Sequence, residues 1–592
     1  MSVDKWNEQG RIWEDDHGWL DEDQIARCAR AEESDPLNSP VPTRMVSNGE
    51  YMPVPQTGQQ QQVEARIQEL AESASKKLGI DRRRFLASTG GMAAAFIAMN
   101  EVFGRFFDVH PIEMFEPVAY AQAAAPRDLF VLDDQLHMVR SSRKGVGTPL
   151  RAIAQGPSAA PAFQANPFNR SGMADEHGQV WGTWNPALAG LPVSDASFQI
   201  VQFIKDVYLD SQVTIGILSN VTASLVSVAG GAERRPPRNV DEAMQAEILT
   251  AAQTAAARNF VNEVSGSTRM LAHGLLYVGK GNLPYIEEQI EKNEPDAWKG
   301  YNISYAAKVD TDPTSPMRQW RHDDEQVAYP TFELIEKHYQ KLKDKKPGFK
   351  NICVHKGLVN TKEQRPEIGH PADLPKAARD WPDLNFITYH ACIQPAFFMG
   401  ESLRELKSGK MREGVPDISW TTEYAMLVAP FRNAYAEIGT TWASSIVTFP
   451  TVAAHIMGQL MKFMGPDRIV FGSDSVWYGS PQWQIDALWR FQIPEDLRKK
   501  YGYPELTEDA KRKILGLTSA KLHGIQQVAA RDVSRTYKPV PKDFETRMPK
   551  ELKTIMEFPG YTADNMSKFK EQYAAAGPAP SNTRYGWIRT KV

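Results

Sequence analysis

Three histidines and one aspartate occupy matching places in this sequence. His355 closes the apolar run Asn351-Ile352-Cys353-Val354-His355, and His390 closes Leu384-Asn385-Phe386-Ile387-Thr388-Tyr389-His390. Asp474 ends Arg468-Ile469-Val470-Phe471-Gly472-Ser473-Asp474, and Asp128-Leu129-Phe130-Val131-Leu132-Asp133 leads through Gln135 and Leu136 to His137. Imidazole and carboxylate together suit a borderline or hard divalent ion such as Zn or Mn. Three or four such ligands leave a position open for water or substrate, so the chemistry implied is acidified water or a polarised oxygen. Singly, each residue has a plainer reading: a histidine after an apolar run also serves as a hydrogen-bonded core residue, and an aspartate after Gly-Ser also caps a helix or makes a turn. The argument rests on four strands delivering one chemistry at the same end.

That arrangement needs parallel strands whose C-terminal ends meet, as in a (β/α)8 barrel. From Arg127 onward strand-like and helix-like segments alternate, the mark of a parallel sheet with crossover helices. Strands are expected near 128–133, 213–218, 269–277, 301–307, 351–355, 385–390, 434–438 and 468–473. Helices are expected near 198–208, 282–292, 331–345, 447–464, 481–491 and 507–515, the fourth ended by Gly465-Pro466. The fold class is therefore α/β, a (β/α)8 barrel over 127–526 with a Gly/Pro/Asn-rich insertion at 141–195. A C-terminal tail, 527–592, has little apolar periodicity and is expected to wrap the barrel or reach a neighbouring subunit.

The 592 residues carry a net charge of -4, and the pI is near 6.4, so no strong field for nucleic acid or membrane is implied. Three cysteines (Cys28, Cys353, Cys392) give neither a disulfide framework nor zinc-finger spacing, and the latter two read as small buried hydrophobes. No Ser-His-Asp order, phosphate loop or dinucleotide fingerprint stands out, and Gly472-Ser473-Asp474 lacks the Gly-x-Ser-x-Gly form.

Asp81-Arg82-Arg83-Arg84-Phe85-Leu86 resembles a twin-arginine export signal. A modest apolar stretch from Ala87 to Gly104 and the small-residue site Ala119-Tyr120-Ala121 follow it. This implies a periplasmic protein handled by the twin-arginine machinery, which carries folded cargo. The alternative is a cytoplasmic protein in which residues 63–103 pack on the enzyme as an amphipathic helix with Arg82 to Arg84 on its surface. Residues 1–62 read as a polar, disordered extension and 63–126 as the signal-like segment. The apolar stretch is too short and too interrupted for a membrane span.

The chain resembles the amidohydrolase-related family of (β/α)8 metalloenzymes, which includes the aminocarboxymuconate-semialdehyde and resorcylate decarboxylase group. The resemblance is carried by Val131 to His137, Val354-His355-Lys356-Gly357, Phe386 to His390, Asp467 to Asp474 and the closing stretch Leu506 to Ile525. It implies one divalent metal ion, Zn or Mn, held by His137, His355 and Asp474, with His390 as the acid/base group and Asp474 sharing in proton handling. Gln135 departs from the family's His or Glu. Its neutral amide oxygen is a weaker donor that favours harder ions. Lys308 stands where binuclear relatives carry a bridging lysine and is read as a surface or substrate-contacting residue. His273, Trp477 and Tyr478 are expected at the substrate, with Glu401 and Arg404 as further contacts. The expected function is a metal-dependent hydrolase of an ester, lactone or amide. The alternatives are a non-oxidative decarboxylase of an aromatic or unsaturated acid, or a non-catalytic barrel that has lost its metal. The expected partner is a small-molecule substrate, with no nucleic acid, and the family's habit implies a homodimer.

Overall fold

The computed structural model describes residues 39–43, 57–126, 129–138, 200–220, 239–247, 249–265, 268–302, 319–357, 366–394 and 406–525. It also describes two short antiparallel ribbons, 228–230 with 233–235 and 534–535 with 588–589. The insertion 141–195 and, but for the second ribbon, the tail 527–592 lie outside the described residues. So do Lys308, Glu401 and Arg404.

Eight parallel strands make a barrel in sequence order: β1 Leu132–Leu136, β2 Ile215–Leu218, β3 Met270–Leu275, β4 Ala297–Tyr301, β5 Asn351–His355, β6 Asn385–Tyr389, β7 Ala434–Glu437 and β8 Ile469–Val470. A parallel bridge between Leu136 and Ser475 closes the ring, helped by the Asp134 N–H on the Phe471 carbonyl at 2.9 Å and the Asp474 N–H on the Gln135 carbonyl at 3.0 Å. The barrel is thereby nearly closed, which protects the two edge strands.

Two strands lie off their expected places. β1 starts at Leu132, where it meets Ile215, and its register slips between Asp133 and Leu136, so the strand extends past the apolar run that announces it. β4 covers Ala297-Trp298-Lys299-Gly300-Tyr301, ahead of the expected 301–307, of which 303–307 lie outside the described residues; its Lys299 is buried and sits 3.8 Å from the centre of the Tyr389 ring and 4.7 Å from that of Tyr301. Two aromatic faces make a charged strand residue tolerable inside the barrel.

The barrel floor is apolar. Phe130, Leu132, Ile215 and Ile217 cluster with Ala520 and Ile525, and Cys353, Ile387, Tyr389 and Val470 cluster with Leu522. The short helix Thr518–Leu522 therefore plugs the N-terminal end of the barrel. Beneath the apolar layer, Asn385 donates to Asn351 at 2.7 Å, and His523 and Ser519 engage the Asp134 carboxylate.

The N-terminal segment is folded and docked. Helix α1 (Gly58–Leu78) opens with a Thr57/Gln60 capping box and buries Val63, Ile67, Ala71 and Ala74. It thus begins inside the region expected to be disordered, since one face has an apolar stripe to bury. α2 (Arg82–Leu86) and α3 (Thr89–Phe103) follow, then α4 (Pro117–Ala123). Their buried residues belong to the same hydrophobic cluster as the helices around the barrel. Among the described residues no helix is long and apolar enough to cross a membrane.

Candidate functional site

The four strand-end residues meet at the C-terminal mouth of the barrel, and all are buried. They form two pairs. His137 Nε2 lies 3.0 Å from Asp474 Oδ1, and His390 Nε2 lies 3.2 Å from His355 Nδ1. Two of the four occupy the left-handed backbone region, His390 at φ 62° and Asp474 at φ 56°. Side chains rarely tolerate that conformation, and where they do the surrounding structure is imposing it, commonly at functional sites.

Tautomers follow from the hydrogen bonds. The Thr440 N–H donates to His390 Nδ1 at 3.2 Å, so the His390 proton sits on Nε2 and points at His355 Nδ1. His355 also stacks on Tyr301, ring centres 4.5 Å apart. His137 Nδ1 faces the Ser219 carbonyl at 3.1 Å and must donate to it, which leaves Nε2 directed at Asp474. A lone pair facing a carboxylate oxygen is attractive only with a proton or a cation between them. The Gln135 amide nitrogen is 3.2 Å from the same Nε2, and its oxygen is buried without a hydrogen-bond partner. Turning that amide over would place the oxygen beside His137.

Among the described residues, no three His, Cys, Asp or Glu side chains converge as a ready-made metal cluster. The donors that could hold one ion are His137, Asp474 and the orphaned oxygen of Gln135. His355 supports His390 in this arrangement.

Burial raises the Asp474 carboxyl, but the hydrogen bond and charge of His137 outweigh it and bring it to about 2. Burial lowers His390 to about 3, so it is neutral at ordinary pH. Thr440 joins the two: its N–H serves His390 and its hydroxyl donates to Asp474 Oδ2. The Tyr478 hydroxyl is 3.2 Å from the same Thr440 oxygen, and Trp477 stacks on His137 with ring centres 5.7 Å apart. The Ser219 hydroxyl is 2.8 Å from His273 Nδ1, while His273 Nε2 is buried without a partner. His273 thus stands behind His137, linked to it through Ser219.

Two buried ionisable groups escaped the sequence reading. Glu437 ends β7 and accepts from the His390 and Gly439 N–H groups at 3.0 and 2.5 Å. Burial raises its carboxyl well above the usual range. A Cβ on Gly439 or Gly472 would strike Glu437 and Gln135 within 3 Å, so both glycines are needed for that approach. Lys299, beneath the histidines, is the other.

A family model described as amidohydrolase matches residues 224–525, just over half of the chain. β1 and β2, with Gln135 and His137, precede that range. Similar solved structures include an uncharacterised TIM-barrel protein from Bordetella bronchiseptica, at 13% identity and TM-score 0.36, covering 67% of this chain and 99% of that one. Another is 2,6-dihydroxybenzoate decarboxylase from Rhizobium (13%, TM-score 0.29, 53% and 85%). A third is 5-carboxyvanillate decarboxylase from Sphingomonas paucimobilis (12%, TM-score 0.31, 67% and 100%). No curated protein matches the chain. With a barrel of eight parallel strands and a family match over half its length, the chain belongs to the amidohydrolase family.

Proposed function

We propose that this protein hydrolyses an ester, lactone or amide with the help of one divalent ion, Zn or Mn. The observation that carries the reading is the His137 Nε2 facing Asp474 Oδ1 at 3.0 Å, beside a His390 held by the same Thr440 that serves Asp474. His137, Asp474 and Gln135 would hold the ion, which supplies a Lewis acid that acidifies water and polarises a carbonyl.

The chain's own groups manage the proton and the charge. Asp474, ionised at neutral pH, accepts the proton that water loses on attacking the carbonyl carbon and returns it to the leaving oxygen or nitrogen as that bond breaks. The neutral His390 rests with its Nε2–H on His355 Nδ1 and turns that proton from His355 to the oxygen that gains charge. His355 and Thr440 fix its tautomer and direction. Trp477 and Tyr478 wall the His137–Asp474 side for a planar substrate.

A second reading, non-oxidative decarboxylation of an aromatic or unsaturated acid, is favoured by the aromatic frame of Trp477 and Tyr301 and by the Lys299 charge beneath it.

The test is metal analysis of the purified protein beside Asp474→Asn and His355→Ala, with a screen of esters, lactones, amides and aromatic acids read by both acid release and CO2 release. About one ion per chain, lost in Asp474→Asn, with acid release supports hydrolysis. CO2 release moves the reaction to the carboxy-lyase. Neither metal after reconstitution nor turnover makes the chain a non-catalytic barrel.

A further inference from the structure

We infer that residues 57–126 are a permanent clamp of the mature protein and are not removed as an export leader. The inference starts at Arg490, the last residue of the barrel helix Gln482–Arg490. Its guanidinium is fully buried, and the groups that satisfy it come from the N-terminal segment. Glu113 Oε2 accepts from it at 2.7 Å, and the Asp108 carbonyl at 2.8 Å. The Tyr120 and Phe96 rings lie 4.5 and 5.8 Å from it. Cutting after Ala121 would strip the counter-charge, the carbonyls and both rings from a buried cation. Losing one partner of a buried pair is among the costliest changes a fold can suffer.

Independent contacts tie the same segment to the same face. Phe107 bridges to Phe491, with ring centres 5.7 Å apart, and the Gln492 N–H bonds the Phe106 carbonyl at 2.7 Å. At the far end of the segment, Gln60 donates to the Thr448 carbonyl at 2.9 Å.

The motif is folded into a helix, and the cleavage site is closed by this docking. Arg82, Arg83 and Arg84 are exposed, but Phe85 and Leu86 beside them are buried. Ala119-Tyr120-Ala121 lies inside α4, with Tyr120 under Arg490, whereas a peptidase needs an extended, accessible strand. A receptor can read the segment only before it docks, and a protease cannot reach it afterwards.

The experiment is the intact mass of the full chain expressed in a bacterium that has twin-arginine export, taken from each cell fraction, with melting temperatures of three proteins. These are the full chain, full-chain Glu113→Gln, and a chain starting at Gln122. The clamp predicts a mass that retains residues 57–126 wherever the protein is found. It also predicts a melting temperature lower by roughly 2–4 °C in Glu113→Gln, and a truncated chain that aggregates or melts lower still. A folded product cut after Ala121 that melts like the full chain would overturn it, as would Glu113→Gln with no shift.

Discussion

The two ends of the barrel treat the same residue types in opposite ways. At the N-terminal end, Asp134 is engaged by Ser519 and His523, and Asn351 by Asn385. The positive-φ residues there are the glycines Gly465 and Gly524, with Glu294 as a lone exception ahead of β4. At the C-terminal end, His390, Ala391, Cys392 and Asp474 adopt positive φ with side chains present, and polar atoms of Gln135 and His273 are buried without partners. Strain and unmet hydrogen-bonding capacity are concentrated where chemistry is expected, while the other end is built for stability.

The sharpest way to break that comparison is at Asp474. Asp474→Asn should cost about 10³-fold in turnover and abolish metal retention, with a melting temperature within a few degrees of the parent. A collapse of the fold instead would show that the mouth is also structural. The mirror experiment is Leu522→Ala in the floor plug, expected to cost about 2–5 kcal/mol in denaturant unfolding while turnover per folded molecule stays constant. A subtler cut is Thr440→Val, which keeps the N–H for His390 but removes the hydroxyl from Asp474. A loss of about tenfold in kcat with unchanged metal content is expected. The smallest effect lies between the ends, at His455, which hydrogen-bonds Tyr503 at 2.9 Å and is lowered by burial to about 4. The unfolded chain takes up a proton there near pH 6.5 that the folded chain refuses until about pH 4. Stability from this group is full above pH 6.5 and falls across that window. Urea unfolding of His455→Gln near pH 7 and pH 5 should show a shallower acid decline, by on the order of 1 kcal/mol.

Much of this was legible in the sequence. His137, His355, His390 and Asp474 each follow a dense apolar run, the usual form of a buried parallel strand, so strand and chemistry are announced together. Glu437 and Lys299 do the same job in β7 and β4, but Ala434-Tyr435-Ala436-Glu437 and Ala297-Trp298-Lys299 lack that apolar density, and a buried charge gives no local sign of the rings or backbone groups that make it tolerable. Thr440 has no sequence signature, because its importance lies in two partners reached through space. The Arg82–Leu86 motif misleads in the opposite direction. Its short-range pattern is that of a leader, while Arg490 and Phe491, which hold the stretch from Phe96 to Tyr120 that follows it, lie some four hundred residues further along.

The floor plug has a consequence for how this chain is made. Ser519 meets Asp134 across 385 residues, and Arg490 meets Glu113 across 377. Neither the barrel floor nor the clamp can form until nearly the whole chain has left the ribosome, and long-range closure of this kind is slow. Through most of synthesis the stretch from Phe106 to Tyr120 lacks Arg490 and Phe491, and the sheet lacks the strand that closes it. Any factor that reads the N-terminal motif, or shields the unclosed sheet, has that interval in which to act, and loses it when residue 522 emerges.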